Sequence, residues 1–177
     1  DGVTSIGGRA FENCSSLVSI TLSEGVTSIG DEAFRRCRKL QRITILGSPE
    51  FGKDVLRDAS PDLLLTRLPL TKVKSLQMKR QAILGWIHRA PDDPPVEEDV
   101  EKSIRKYWSK SFESFLDSIT TDGSLLPALL EQHLLSLEQA DLLLERFEGN
   151  AEAVANLLEY KNQSFSSEAI EQQIGRA

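Results

Sequence analysis

A passage near the beginning of the sequence occurs twice, and this repetition restricts the possible folds more than any other feature. Residues 2–7 and residues 25–30 both read GVTSIG, 23 residues apart. A regular period in this range stacks equivalent apolar positions on one another, so it predicts a solenoid whose turns bury their cores against their neighbours. The same offset relates Ala10-Phe11 to Ala33-Phe34, Cys14 to Cys37, Leu17 to Leu40, Ile20 to Ile43, and Leu22 to Ile45.

Each copy contains a stretch of strict alternation. In residues 17–22, Ile20 and Leu22 alternate with Ser19 and Thr21, which is the period of a strand with one buried face. Residues 40–45 repeat the pattern, with Arg42 and Thr44 at the outward positions. We therefore expect residues 17–22 and 40–45 to form adjacent parallel strands in register, with Ser19, Thr21, Arg42 and Thr44 on the outer side.

The remainder of each copy predicts a second short extended segment and a tight turn. Residues 26–30 read as the extended segment, and residues 33–37 as a helical or turn-like segment that fills the core with small and aromatic side chains. Gly25 and Gly30 stand at the corners between these segments. Because glycine adopts positive φ at little cost, we expect both glycines to do so.

The pattern GVTSIGxxAFxxCxxLxxITL resembles the BspA-like leucine-rich repeat family of bacterial proteins. The resemblance is strong over residues 2–47 and continues in weaker form to about residue 69. It implies a right-handed solenoid of parallel strands and no catalytic residues. It also implies a cell-surface or secreted protein that binds other proteins or host components. A cytoplasmic location is the alternative, since no signal peptide is visible in this sequence.

The repeat weakens after Gly47. Phe51-Gly52 stands in place of Ile-Gly and Val55-Leu56 in place of Ala-Phe, while Ala59 takes the cysteine position and Leu63 the leucine position that follows it. We interpret residues 48–69 as a degenerate terminal repeat, because the last turn of a solenoid needs an atypical unit to cover it. The chain is thus expected to be the carboxyl-terminal part of a longer repeat protein.

The composition changes after Pro69, where glycine becomes rare and apolar residues recur at spacings of three and four. The fold class that follows is α+β, with a short solenoid at residues 1–69 and an all-helical bundle or short α-solenoid at residues 70–177. We expect the helical part to dock on the degenerate repeat, since no flexible spacer separates them. The expected helices cover residues 71–90, 96–122, 125–134, 139–147, 151–160 and 167–174.

Charge argues against a nucleic-acid partner. The formal net charge is -6, and all of it falls in the helical half, whereas phosphate binding needs a basic face. One basic cluster is present in the second copy of the repeat. A solvated surface is its simplest interpretation, and a contact patch for an acidic partner is the alternative. The cluster consists of Arg35, Arg36, Arg38, Lys39 and Arg42.

No residue pattern predicts a cofactor, a metal site or a catalytic centre. His88 and His133 are isolated, and zinc requires three or four convergent ligands. Cys14 and Cys37 are predicted to pack as buried thiols, with a disulfide between successive turns as the alternative. The large aromatic residues lie on helix stripes and are expected in the core instead of a ligand cage. They are Trp86, Tyr107, Trp108 and Tyr160.

Two functions remain. The first is a non-enzymatic interaction module that binds a protein or a glycan through the outward positions Ser19, Thr21, Arg42 and Thr44. The second is a regulatory or structural segment of a larger enzyme whose catalytic part lies elsewhere. The absence of a convergent acid, base and nucleophile in the sequence favours the first. No stretch is apolar and long enough to predict a membrane span.

Overall fold

The computed structural model describes residues 2–166, which lie in two compact units. The first unit comprises residues 1–108 and the second residues 109–177. The domain boundary predicted between residues 69 and 70 stays a prediction, and it falls within the first unit.

Six short strands form two parallel sheets in the first unit, and each turn of the solenoid contributes one strand to each sheet. One sheet has the order β1-β3-β5 and the other the order β2-β4-β6. Ile20 lies opposite Ile43 and Leu22 opposite Ile45, so the predicted parallel register is confirmed. The strands are β1 (Ser5–Ile6), β2 (Ser19–Leu22), β3 (Ser28–Ile29), β4 (Arg42–Ile45), β5 (Glu50–Phe51) and β6 (Asp62–Leu65).

Equivalent side chains stack inside the solenoid. The rings of Phe11 and Phe34 lie parallel, with centroids 5.1 Å apart. Phe34 is fully buried because turns lie on both sides of it, whereas Phe11 in the first turn is half-buried. Cys14 and Cys37 are both free thiols, but only Cys37 is buried as predicted, whereas Cys14 is half-buried. The Cys37 thiol donates to the Phe11 carbonyl oxygen at 2.9 Å.

The left-handed backbone positions are not the predicted glycines. Within residues 2–166, Gly149 is the only glycine with positive φ, so the expectation for Gly25 and Gly30 was wrong. Gly30 is needed for close approach, since a Cβ there would lie 2.5 Å from the Gly8 nitrogen. In the solenoid, positive φ instead recurs at two places in every turn, at Arg9 and Asn13, Glu32 and Arg36, and Asp54 and Asp58.

Hydrogen bonds between turns explain why non-glycine residues adopt this conformation. The amides of Arg9 and Asn13 donate to carbonyls of the second turn at 2.9 Å, and those of Glu32 and Arg36 donate in the same way to the third. The left-handed residues thus continue the backbone ladder through the turns. These bonds offset the modest cost of positive φ in a residue with a Cβ.

The third turn is shorter than the first two. Phe51 lies opposite Ile29, an offset of 22 residues, and Leu63 lies opposite Ile43, an offset of 20. Leu63 therefore takes the place of Ile20 and Ile43, and the prediction that it would follow Leu17 and Leu40 was wrong. One residue is lost between β4 and β5, and two more are lost between β5 and β6.

Helix α1 (Leu76–Ile87) closes the β6 side of the third turn. It follows a single 3-10 turn at Leu70–Lys72 and begins at Ser75, whose side chain caps the helix. Gly85 lies so close to β6 that a Cβ there would be 2.2 Å from the Leu63 oxygen. The Gln77 side-chain amide donates to the Ala59 carbonyl oxygen at 3.0 Å. For α1, the expected docking on the terminal repeat is thus observed.

The helix predicted over residues 96–122 is divided into three pieces. They are α2 (Glu98–Ser111), a 3-10 segment (Phe112–Phe115) and α3 (Leu116–Thr121). Phe112 and Phe115 are both buried. A 3-10 segment has three residues per turn, so it places these two residues directly on the same side. An ideal α-helix would separate them slightly.

The second unit continues with three helices, α4 (Leu125–Glu131), α5 (Leu137–Arg146) and α6 (Ala151–Phe165). A capping box forms between Ser136 and Gln139, and Asn150 caps α6. α6 packs against both α4 and α5, and the Tyr160 hydroxyl donates to the Leu135 carbonyl at 2.8 Å. The helix predicted at residues 167–174 lies outside the described residues. The α+β class is confirmed.

Candidate functional site

The candidate site is the outer face of the sheet β2-β4-β6. Ile43 and Leu63 point into the core, so the side chains that alternate with them form two rows on the outer face. The strand register sets both rows. One row consists of Ser19, Arg42 and Asp62, and the other of Thr21, Thr44 and Leu64.

The first turn leaves its part of this face open. Ser19 and Thr21 on β2 are both exposed. Their hydroxyl groups form no hydrogen bond with any of the described residues that would restrict them. Of the four predicted contact residues, these two are the ones that the structure leaves accessible.

Residues 88–97, which we call the crossing segment, pass over the same face at the second and third turns. The Arg42 guanidinium forms an ion pair with the Asp93 carboxylate, which also accepts from the Ala90 amide at 2.6 Å. On the neighbouring strand, His88 Nδ1 lies 2.8 Å from the Asp62 carboxylate. Two adjacent positions of the first row are therefore occupied by the chain itself.

The second row is covered more completely. Thr44 retains 7% of its accessible surface and Leu64 retains none. Beyond the end of β6, the Glu97 amide donates to the Thr66 carbonyl oxygen at 2.8 Å, which fixes the end of the crossing segment to the third turn. The structure thus brings Ser19 and Thr21 together on an open surface and places Arg42 and Thr44 at its covered border.

A separate set of charges runs across the turns on the side of the left-handed residues. The Glu32 carboxylate accepts from Arg9 at 2.8 Å and from Arg57 at 2.9 Å, and Arg35 lies between Glu32 and Glu12. Burial raises the pKa of Glu32, but the hydrogen bonds from Arg9 and Arg57 and the charge of Arg35 outweigh burial and lower the pKa below its ordinary value.

The basic cluster predicted from the sequence is largely paired. Arg35 and Arg36 form ion pairs with carboxylates of their own and neighbouring turns, and Arg42 pairs with Asp93. Arg38 and Lys39 are exposed and form no ion pair with the described residues. Three of the five residues are therefore held in ion pairs, and only Arg38 and Lys39 match the interpretation of a solvated surface.

The aromatic residues are mainly structural. Trp86 and Trp108 are buried, and the guanidinium groups of Arg89 and Arg105 stack on the Trp86 ring at 4.2 and 5.0 Å from its centroid. Burial lowers the pKa of Arg89 from its ordinary value. Tyr107 is half-buried beneath the Lys79 ammonium group, so it belongs to this layer and not to a ligand cage.

The described residues assemble no metal site. No group of three or more His, Cys, Asp and Glu side chains converges within residues 2–166. His88 is engaged with Asp62, and His133 stacks against Tyr160 with centroids 5.8 Å apart. None of the helices in the same range combines the length and hydropathy of a membrane-spanning segment.

Sequence reasoning missed the crossing segment. The repeat correctly placed four residues on the outer face, but accessibility depends on a loop that has no counterpart in the repeat. The ion pair between Arg42 and Asp93 joins residues 51 positions apart. One signal was available, because Leu64 puts a large apolar side chain where the first two turns carry threonine, and such a residue needs cover.

The comparisons with known proteins agree with this architecture. Residues 1–57 match the family model described as a BspA type leucine-rich repeat region of six copies. No curated protein and no solved structure gives a significant match to the chain. The matched residues comprise the first two turns and the beginning of the third. The resemblance stated from the sequence is thereby confirmed for residues 1–57, which are similar to a BspA-type leucine-rich repeat region.

Proposed function

We propose that this chain is a non-enzymatic interaction module that binds a protein or a glycan through the open part of the outer face. The repeat family supports a role in protein binding in general. The observation that carries the proposal is the exposure of Ser19 and Thr21 on a regular strand surface, beside the half-buried Arg42. Hydroxyl groups of this kind adapt to hydrogen-bond donors and acceptors alike.

The chemistry of this surface favours a neutral, polar partner. Arg42 is neutralised by Asp93, so its guanidinium orients a partner's polar groups without adding a free positive charge. Thr44 is buried, so it marks the edge of the open surface and offers no hydrogen bond to a partner. The overall charge of -6 does not favour nucleic acid. Because the repeat resembles those of bacterial surface proteins, we expect the partner to be a macromolecule encountered at the cell surface.

The experiment is binding of the purified protein to protein and glycan arrays. Thr21→Arg places a large cation on the open surface and is expected to abolish the signals that the native protein gives. Ser5→Arg is the matched control, since Ser5 is also an exposed strand residue but belongs to the other sheet. Equal binding by the native protein and Thr21→Arg would contradict the proposed surface.

A second variant tests the border of the surface. Arg42→Gln keeps a polar side chain, although a shorter one, and removes the charge that pairs with Asp93. We expect weaker binding and a loss of stability of about 1 kcal/mol, because the pair is partly buried and Asp93 keeps its hydrogen bond from the Ala90 amide. Unchanged binding would limit the contact to β2.

A further inference from the structure

The second sheet of the solenoid ends in an open edge. β5 is the last strand of β1-β3-β5, and within residues 2–166 no strand pairs with its other side. The corresponding edge at β6 is closed by α1. An open edge is a template for another chain, and proteins usually cover or charge it.

The free hydrogen-bonding groups of this edge can be identified from the ladder. The amides of Glu50 and Gly52 donate to Thr27 and Ile29 on the β3 side, at 2.9 and 2.7 Å. Successive amides of an extended strand point to opposite sides. The N–H and C=O groups of Phe51, between them, therefore point away from β3.

These groups face a groove of about 890 Å³ between the third turn and the chain leading into α1. The floor is apolar, since Val55 and Leu56 are buried there and Phe51 is half-buried beside them. The wall opposite β5 is basic, because Lys72 and Lys74 are its only charged residues. Both lysines are exposed and form no ion pair with the described residues.

We propose that this groove binds an extended acidic segment of a partner protein, which adds a fourth strand beside β5. Its backbone pairs with the free groups of Phe51 in the manner of strand addition. Alternate side chains then face the apolar floor. The carboxylates between them point outward, where the exposed side chains of Lys72 and Lys74 can reach them. Glu50, Lys53 and Asp54 line the β5 side of the groove, so Lys72 and Lys74 give its lining an excess of positive charge.

The probe is a fluorescein-labelled heptapeptide, Ser-Glu-Val-Asp-Val-Glu-Ser, measured by fluorescence anisotropy with the whole chain at low ionic strength. The double variant Lys72→Glu with Lys74→Glu is expected to weaken binding about tenfold, since it replaces two attractive pairs by repulsion. The control is Arg38→Glu with Lys39→Glu, which makes the same change of charge at exposed residues away from the groove. It is expected to change the affinity less than about twofold.

Two N-methylated peptides test strand addition itself. Methyl groups on one set of alternate amides block pairing with β5, and methyl groups on the other set do not, so only one peptide should lose binding. Equal loss, or no loss, in both peptides would overturn strand addition. Failure of the unmodified peptide to bind would overturn the proposal. The role left for Lys72 and Lys74 would then be to prevent other strands from pairing with β5. Thr21→Arg should leave peptide binding unchanged, so this site and the outer face are tested independently.

Discussion

Phe34 illustrates what repetition does for a single residue. Its ring is stacked on Phe11 and has no accessible surface, because neighbouring turns cover both of its faces. Phe34→Ala is expected to lower the free energy of unfolding by about 3–5 kcal/mol, measured by urea denaturation. Phe11→Ala is the natural comparison, and it should cost less because Phe11 is half-buried. Similar losses for both variants would mean that the end turn is covered in solution.

Glu32 predicts a pH dependence of stability. The pKa of its carboxyl is lowered on folding from the ordinary value of 4.5, despite burial, by Arg9, Arg57 and Arg35. A group with a lowered pKa adds stability above its ordinary pKa, and this contribution is lost as the pH falls through the folded-state pKa. Glu32→Gln should therefore be less stable than the native protein at pH 7, and the difference should shrink below about pH 4.5.

Denaturation midpoints between pH 3 and pH 7 measure this difference. Asp92→Asn serves as the control, because Asp92 is exposed and forms no ion pair with the described residues. It should be as stable as the native protein throughout the range. A difference for Glu32→Gln that stays constant down to pH 3 would show that packing, and not charge, is responsible.

At the scale of elements, α1 depends on one small residue. A change from glycine to alanine inside a helix normally stabilises the helix by about 1 kcal/mol. Here the added Cβ would lie 2.2 Å from the Leu63 oxygen, so we expect Gly85→Ala to destabilise the protein by moving α1 away from β6. Gly7→Ala is the control, since a Cβ at Gly7 meets no atom within 4 Å. A higher melting temperature for Gly85→Ala would contradict this packing.

The elements also show which parts of the fold were predictable. Strands β2 and β4 follow from the 23-residue offset, because only that register buries equivalent apolar residues together. The register of β6 could not be predicted, since a shortened turn before it moves Leu63 to a different place in the repeat. The break between α2 and α3 was missed because Phe112 and Phe115 fit a helical stripe equally well in either helix type.

For the candidate site, the sequence predicted orientation and not access. The outward positions of the strands were deduced from alternation, which is a local property. Whether those positions are open depends on His88 and Asp93, which reach the sheet through tertiary contacts. The groove beside β5 was missed for the same reason, because its basic wall comes from residues after the repeat.

At the scale of the first unit, the solenoid and the helix that follows it are expected to unfold together. Leu64 is fully buried and α1 packs against its strand, so removal of the helix exposes an apolar surface that the three turns cannot cover. Residues 1–69 alone should be less stable than residues 1–108 and should unfold without a cooperative transition. Circular dichroism during thermal denaturation of the two fragments makes the comparison. A cooperative transition of residues 1–69 at the temperature of the longer fragment would contradict this expectation.

The unequal offsets between turns have a consequence for the length of the molecule. An extra copy of residues 2–24 inserted after Glu24 meets the same partners above and below as the natural turns, so the array should accept it as one more module. A copy inserted after Thr66 would separate β6 from α1 and from the crossing segment. The solenoid therefore has one side at which duplication could lengthen it and one side that α1 closes.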